Sequence, residues 1–304
     1  MHVATLNQVL ILFLMGSTGF LLAKAKIWQD RDVAAFTSLI IWVANPCLNF
    51  SKLERLEHGT LTKDWLAVFF FSLALLCALI GAGVLLFRRL PRGERAVYTQ
   101  MLALSNCGFM GYPVMEAAMG PQAVGYGVAF VSAFNLVSWS IALALFCDDW
   151  KAGLRKMINP GMIAILLGLA LQMARLHLPG ILADTAVTLG ALATPLSMMV
   201  VGAYLARVTA GLFRNKMFLP ACALRLIAAP LVAAAALKLC GLRGDMAGAV
   251  YVACAMPACT NMMVQASAYS TEDARILATG GVAVTTALSV ATIPVMTLLL
   301  RFFA

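Results

Sequence analysis

Charged residues are scarce in this sequence, and their scarcity excludes a water-soluble protein. Of the 304 residues, 12% are Asp, Glu, Lys or Arg and 62% are hydrophobic, and the mean hydropathy is +0.91. Soluble domains carry about 25% charged residues, and a chain of this length cannot bury so much apolar surface in one core. Lipid must therefore be the solvent for most of the chain.

Residue types that carry enzyme chemistry are also few. The histidines His2, His58 and His177 lie in loops or at the ends of apolar segments, and the pattern His-Glu-x-x-His is absent. The acidic pair Asp148–Asp149 has no second acidic motif with which to hold a metal–diphosphate. The eight cysteines are scattered without Cys-x-x-Cys spacing. We therefore predict no enzymatic activity, no bound metal and no cofactor.

The net charge of +9 does not indicate a nucleic-acid partner. The basic residues fall in the short gaps between apolar segments, where they orient a chain in the bilayer. The partner that the charge pattern predicts is the membrane surface, and we expect no nucleic acid to bind.

Apolar segments long enough to cross about 30 Å of hydrocarbon recur along the whole chain. We predict an all-α membrane protein with ten transmembrane spans, at residues 4–23, 32–51, 65–87, 95–118, 122–146, 159–176, 185–206, 216–239, 246–269 and 275–302. Ten spans put both termini on one side. With the termini on the non-cytoplasmic side, the cytoplasmic loops carry about twice as many Lys and Arg as the outer loops. We therefore expect this orientation, in a bacterial inner membrane.

The sequence contains a weak internal repeat. Ala44-Asn45-Pro46 in span 2 recurs as Ala193-Thr194-Pro195 in span 7, and a second pair of tripeptides before spans 4 and 9 has nearly the same offset. Each half holds five spans, and an odd number of helices inserts the second copy upside down, as in many transporters. We predict two inverted five-helix repeats, residues 1–147 and 158–304.

Spans 4 and 9 each contain residues that interrupt a helix. Span 4 carries Gly108, Gly111 and Pro113, and span 9 carries Pro257. These residues free backbone polar groups, which inside a membrane must be satisfied by protein or by a wet cavity. Interrupted helices at corresponding positions of two halves mark a substrate site, where half-helix N-termini favour an anion. The alternative is a simple proline kink in each helix.

Polar residues near the interruptions define the candidate site. Arg225 lies well inside span 8, where a charge costs about 2.5–3.5 kcal/mol. It either attracts a substrate carboxylate or is a snorkelling or structural residue, for example one paired with a half-helix C-terminus. Glu116 either couples transport to a cation or lies near the outer surface. Asn45 and Asn135 either bind substrate or join helices. The predicted substrate-binding residues are Asn45, Asn106, Gly108, Pro113, Asn135, Arg225, Pro257, Thr260, Asn261 and Gln265.

Five segments of the sequence resemble the auxin efflux carrier family, and together they cover nearly the whole chain. They are ANPCLNF in span 2, SNCGFMGYP in span 4, FNLVSW in span 5, PLSMMVVGAYL in span 7 and MPACTNMMVQASAYS in span 9. The length and the lack of a long central loop are similar to the bacterial branch, which includes proteins described as malonate or malate permeases.

The resemblance implies a fold and a mechanism. Spans 4 and 9 would cross at Pro113 and Pro257, which would put Asn106 and Asn261 beside the substrate. A transport domain of spans 3–5 and 8–10 would move like an elevator against a scaffold of spans 1, 2, 6 and 7, in a homodimer.

We therefore expect a secondary active transporter for a small organic anion, a mono- or dicarboxylate, with coupling to H+ or Na+ left open. One alternative is a sodium-coupled transporter like the bile-acid symporters, whose crossed-helix architecture is similar. A second alternative is a membrane sensor that binds a ligand without flux.

Overall fold

The computed structural model of the protein describes residues 2–54, 56, 63–147 and 159–302. In this part of the chain all regular secondary structure is helical. The predicted features His58 and Asp148–Asp149 lie outside the described residues. Seven of the described helices are long and apolar enough to cross a membrane. The chain is thus a multi-pass membrane protein.

The main helices follow one another in two series of similar order. The first series is α1 (His2–Lys24), α2 (Asp30–Glu54), α3 (Lys63–Leu86), α4 (Arg92–Ala103), α5 (Gly111–Met119) and α6 (Pro121–Ala142). The second series is α7 (Pro160–Ala174), α8 (Gly180–Leu205), α9 (Phe218–Leu239), α10 (Gly244–Ala255), α11 (Asn261–Tyr269) and α12 (Glu272–Thr297). A short helix, Ala210–Arg214, precedes α9, and a 3-10 turn, Leu298–Phe302, follows α12.

Predicted spans 4 and 9 are each divided into two helices. Residues 104–110 separate α4 from α5, and residues 256–260 separate α10 from α11. Met256 is extended (φ −71°, ψ 154°) because the ring of Pro257 disfavours helical geometry in the residue before it. Leu104 is also extended (φ −102°, ψ 116°). The divided spans, together with the short α7, explain why fewer than ten helices reach membrane-spanning length.

The first interruption does not lie at Pro113, where the resemblance implied the crossing. Pro113 is the third residue of α5, eight residues after Ser105, which pairs with Ala258. A proline fits in the first turn of a helix, where the missing N–H has no intrahelical acceptor to lose. The interruption therefore comes from the segment before α5, and Pro113 only begins the next helix.

Three π-helical turns bend α2, α6 and α9. In α2 the N–H of Asn45 donates to the carbonyl of Ile40, five residues back, and in α9 the N–H of Ala229 donates to Leu224 in the same way. Each of these donors precedes a proline, which cannot continue the regular bonding pattern. Such turns often occur at functional sites.

Helices α1 and α8 pack with their backbones in close approach. A Cβ atom on Gly19 would lie 1.9 Å from the carbonyl oxygen of Met199, and one on Gly202 would lie 1.8 Å from that of Gly16. Glycines allow this approach, as in other membrane helix pairs. The opposite side of α1 exposes large apolar side chains such as Leu14 and Leu21, as expected for a helix that faces lipid.

Candidate functional site

The two interrupted segments meet in the interior of the protein. Ser105 and Ala258 form an antiparallel bridge. The N–H of Asn106 donates to the carbonyl of Pro257 (2.7 Å), and the N–H of Cys259 donates to that of Leu104 (3.1 Å). The crossing therefore satisfies backbone groups that the helix breaks release, which is required away from water.

Side chains from neighbouring helices complete the crossing. The hydroxyl of Thr285 in α12 accepts a hydrogen bond from the N–H of Ala258 (3.2 Å). The hydroxyl of Thr194 in α8 donates to the carbonyl of Phe109 (2.9 Å). Thr285 is fully buried, so its bond supplies a partner that no water could supply there.

A small polar cavity of about 20 Å³ adjoins the crossing. Its polar lining comes mainly from amide and hydroxyl side chains on four interior segments: Asn45, Asn49, Ser105, Asn106, Asn135, Thr260 and Asn261. A space of this size holds roughly one water molecule. The described conformation therefore leaves little free volume at its polar centre.

Several residues predicted from the sequence line this cavity together. They are Asn45, Asn106, Gly108, Asn135, Thr260 and Asn261. Pro257 lies outside the lining but contributes its carbonyl to the crossing. Pro113 and Glu116 are in α5; Pro113 is half-buried, Glu116 is exposed, and neither lines the cavity.

The asparagine amides differ in their hydrogen bonds. The amide nitrogen of Asn135 donates to the carbonyl of Val131 (2.9 Å), and that of Asn261 donates to the hydroxyl of Ser138 (3.2 Å). The amide nitrogen of Asn106 is buried and has no hydrogen-bond acceptor among the described residues. Buried donors without an acceptor are rare and call for an explanation. Of these three asparagines, Asn106 is therefore the one whose amide nitrogen remains available to a bound ligand.

Arg225 lies behind the crossing and not in the cavity lining. Its side chain is 1% exposed. One terminal nitrogen donates to the carbonyl of Leu102 (2.9 Å), and the other donates to the carbonyl of Cys254. These carbonyls belong to the last turns of α4 and α10. The geometry corresponds to the second alternative stated for Arg225, pairing with a half-helix C-terminus, and it involves two such ends.

Gln265 joins three helices beside the crossing. Its amide nitrogen donates to the carbonyl of Ser138 in α6 (2.9 Å), and its oxygen accepts from the amide of Gln100 in α4 (2.8 Å). Gln100 also donates to the carbonyl of Ala142 (2.8 Å). Gln265 thus connects helices and does not line the cavity.

Sequence reasoning missed Gln100, Ser138, Thr194 and Thr285. A signal was available for Gln100, since a glutamine inside an apolar span needs partners. Ser138 lies in the FNLVSW segment, in which Asn135 was the only predicted site residue. Thr194 lies in the repeated tripeptide, where it corresponds to Asn45, but no local pattern distinguishes Thr285 from the other threonines of the spans.

A larger apolar crevice of about 390 Å³ lies between α1, α8 and α12. Phe13, Met198 and Val290 are typical of its lining, and Met110 connects it to the first interruption. It contains no charged side chain and, as polar residues, only Ser17 and Thr286. The crevice lacks the groups that would bind an anion, so the polar crossing is the better candidate.

Comparison with known proteins agrees with this geometry. A family model described as membrane transport protein matches residues 4–153 and, a second time, residues 149–297. The chain belongs to this family, the auxin efflux carriers. An uncharacterized transporter from Methanothermobacter thermautotrophicus is 26% identical over 209 residues, which span 65% of this chain and 66% of that protein. The chain is thus a membrane transporter of the family that its motifs resemble.

Proposed function

We propose that the protein is a secondary active transporter that carries a small mono- or dicarboxylate across the bacterial inner membrane. The observation that carries the proposal is the crossing of two interrupted membrane segments beside a polar cavity, where the buried amide nitrogen of Asn106 has no acceptor among the described residues. A carboxylate oxygen would supply that acceptor.

The helix ends at the crossing favour an anion. Helices α5 and α11 begin beside the cavity, and the residues that precede them, Met110 and Thr260, make no side-chain capping hydrogen bond. The first N–H groups of a helix lack intrahelical acceptors and carry a partial positive charge. A carboxylate bound there would accept from the backbone and from the Asn106 amide together.

The second part of the proposal is an elevator-like movement. The transport domain would comprise α3–α6 and α9–α12, and the scaffold would comprise α1, α2, α7 and α8. The double match of the family model and the similar order of the two helix series support two inverted five-helix repeats, 1–147 and 158–304. Because the cavity is small, substrate would enter after the two domains move relative to each other. The proposal includes non-cytoplasmic termini and a homodimer.

Uptake into proteoliposomes tests the proposal. Purified protein would be reconstituted and supplied with radiolabelled acetate, malonate, malate and succinate in separate assays. We expect saturable uptake of at least one probe, and we expect Asn106→Ala to lower it without lowering expression. Asn7→Ala, an exposed asparagine on α1, is the matched control.

Two outcomes would contradict the proposal. Uptake of a probe that is unchanged in Asn106→Ala would reject the site. A probe that raises the apparent melting temperature of the wild type but never crosses the membrane would instead favour a sensor, since binding stabilises the folded state without requiring flux.

A further inference from the structure

The C-terminal ends of two half-helices converge on one side chain. Helix α4 ends at Ala103 and helix α10 ends at Ala255, and the guanidinium of Arg225 binds a carbonyl from the last turn of each. The last carbonyls of a helix lack intrahelical donors and carry a partial negative charge. Two such ends in one place attract a cation.

In transporters with interrupted helices, half-helix C-termini and unwound carbonyls are where a coupling sodium ion or proton is held. In this protein a guanidinium already binds two of these carbonyls. No carboxylate among the described residues lies within ion-pair distance of Arg225. The buried carboxylate that the structure does describe, Glu54, is at the end of α2, within 3.3 Å of His177 and of the backbone of Leu178. Arg225 therefore brings a full positive charge to the crossing.

We propose that Arg225 is a permanent internal cation that takes the position of a coupling sodium ion, so that anion transport by this chain needs no sodium. This inference rests on the proposed function. Arginine suits the role because its guanidinium stays protonated at physiological pH and its planar fork can donate to two carbonyls at once. A lysine ammonium has a similar charge but a different geometry.

Arg225 acts on the anion through the crossing and not by contact. Its guanidinium is within electrostatic range of Cys107 and Cys259, which line the cavity from the two interrupted segments. It therefore neutralises the negative helix ends behind the site and leaves the positive helix ends facing the anion. Arg225 is a positioning residue in this scheme.

The first test measures sodium dependence. Labelled malonate uptake by wild-type proteoliposomes would be compared in sodium and in N-methylglucamine buffers at equal pH and membrane potential. We expect equal initial rates in the two buffers. A fall of about fivefold or more without sodium, the size of a typical coupling between two ligands, would overturn the proposal.

The second test is chemical rescue. Arg225→Ala should lose malonate uptake, millimolar guanidinium chloride should restore part of it, and Arg225→Lys should retain an intermediate rate. Arg207→Ala is the matched control, because Arg207 pairs with Asp30 outside the crossing and its variant should not respond to guanidinium. Equal responses of both alanine variants would contradict the proposed role.

A third measurement does not depend on flux. Guanidinium chloride at millimolar concentration should raise the apparent melting temperature of detergent-purified Arg225→Ala and leave that of Arg207→Ala unchanged. If the wild type moves no carboxylate but this shift occurs, the proposed function fails while the role of Arg225 stands. Stabilisation of the wild type by sodium chloride over choline chloride would show a sodium site and overturn the inference.

Discussion

Replacement of Asn106 by alanine tests whether this asparagine binds a ligand or has a structural role. The amide nitrogen of Asn106 is buried without an acceptor among the described residues, whereas that of Asn261 donates to Ser138. If Asn106 donates to a substrate carboxylate, its loss removes a hydrogen bond to a charged group, which contributes about 1.5–3 kcal/mol. The expected fall in kcat/KM for uptake is about 10- to 150-fold.

Asn106→Ala should change the stability of the protein less than Asn261→Ala does. Asn106→Ala removes no hydrogen bond that its amide nitrogen makes in the folded protein, so we expect an unchanged apparent melting temperature. Asn261→Ala removes a bond that contributes about 1 kcal/mol, so its melting temperature should fall by a few degrees. The assay combines initial-rate uptake in proteoliposomes with thermal unfolding in detergent, and Asn7→Ala is the control for both.

Either of two results would refute this reasoning. Asn106→Ala with wild-type kcat/KM would show that its amide donates to no transported ligand. A melting temperature that falls as far as that of Asn261→Ala would show that Asn106 has a structural partner in the folded protein.

Three other substitutions test two hydrogen bonds at the crossing and the close contact between α1 and α8. Thr285→Val should leave a buried N–H without an acceptor and destabilise the protein by about 1–3 kcal/mol, measured by thermal unfolding. Thr194→Val removes a hydrogen bond between α8 and the first interruption; because the proposed movement must break this bond, kcat for uptake should change more than KM. Gly202→Ala would bring a Cβ to 1.8 Å from the carbonyl oxygen of Gly16 and should abolish the yield of folded protein. Gly81→Ala, with no atom within 4 Å, is its control.

The interruptions of the membrane helices could be predicted from glycine and proline alone. Pro257 forces the preceding residue out of helical geometry, and the second interruption lies beside it. The same rule failed for Pro113, because a proline is compatible with the first turn of a helix as well as with a break. Only the path of the backbone before α5 distinguishes the two cases.

For the polar residues too, local sequence could predict some positions near the crossing but not the hydrogen-bond partners. Asn106 lies within the first interruption and Asn261 directly follows the second, so their place beside the crossing followed from local sequence. The partners of Arg225 did not, since Leu102 and Cys254 are 123 and 29 residues away in the chain. The sequence left two roles open for this arginine, and the hydrogen bonds correspond to one of them.

Hydropathy determines which segments enter the membrane, because the transfer free energy of a helix depends on its own consecutive residues. Glycine and proline in the sequence also indicate where those helices can be interrupted. Packing between distant segments determines which interrupted segments meet and which buried hydrogen-bond donors have acceptors. In this protein that packing puts Ser105 against Ala258, and it leaves the Asn106 amide nitrogen beside a polar cavity with no acceptor in the described part of the chain.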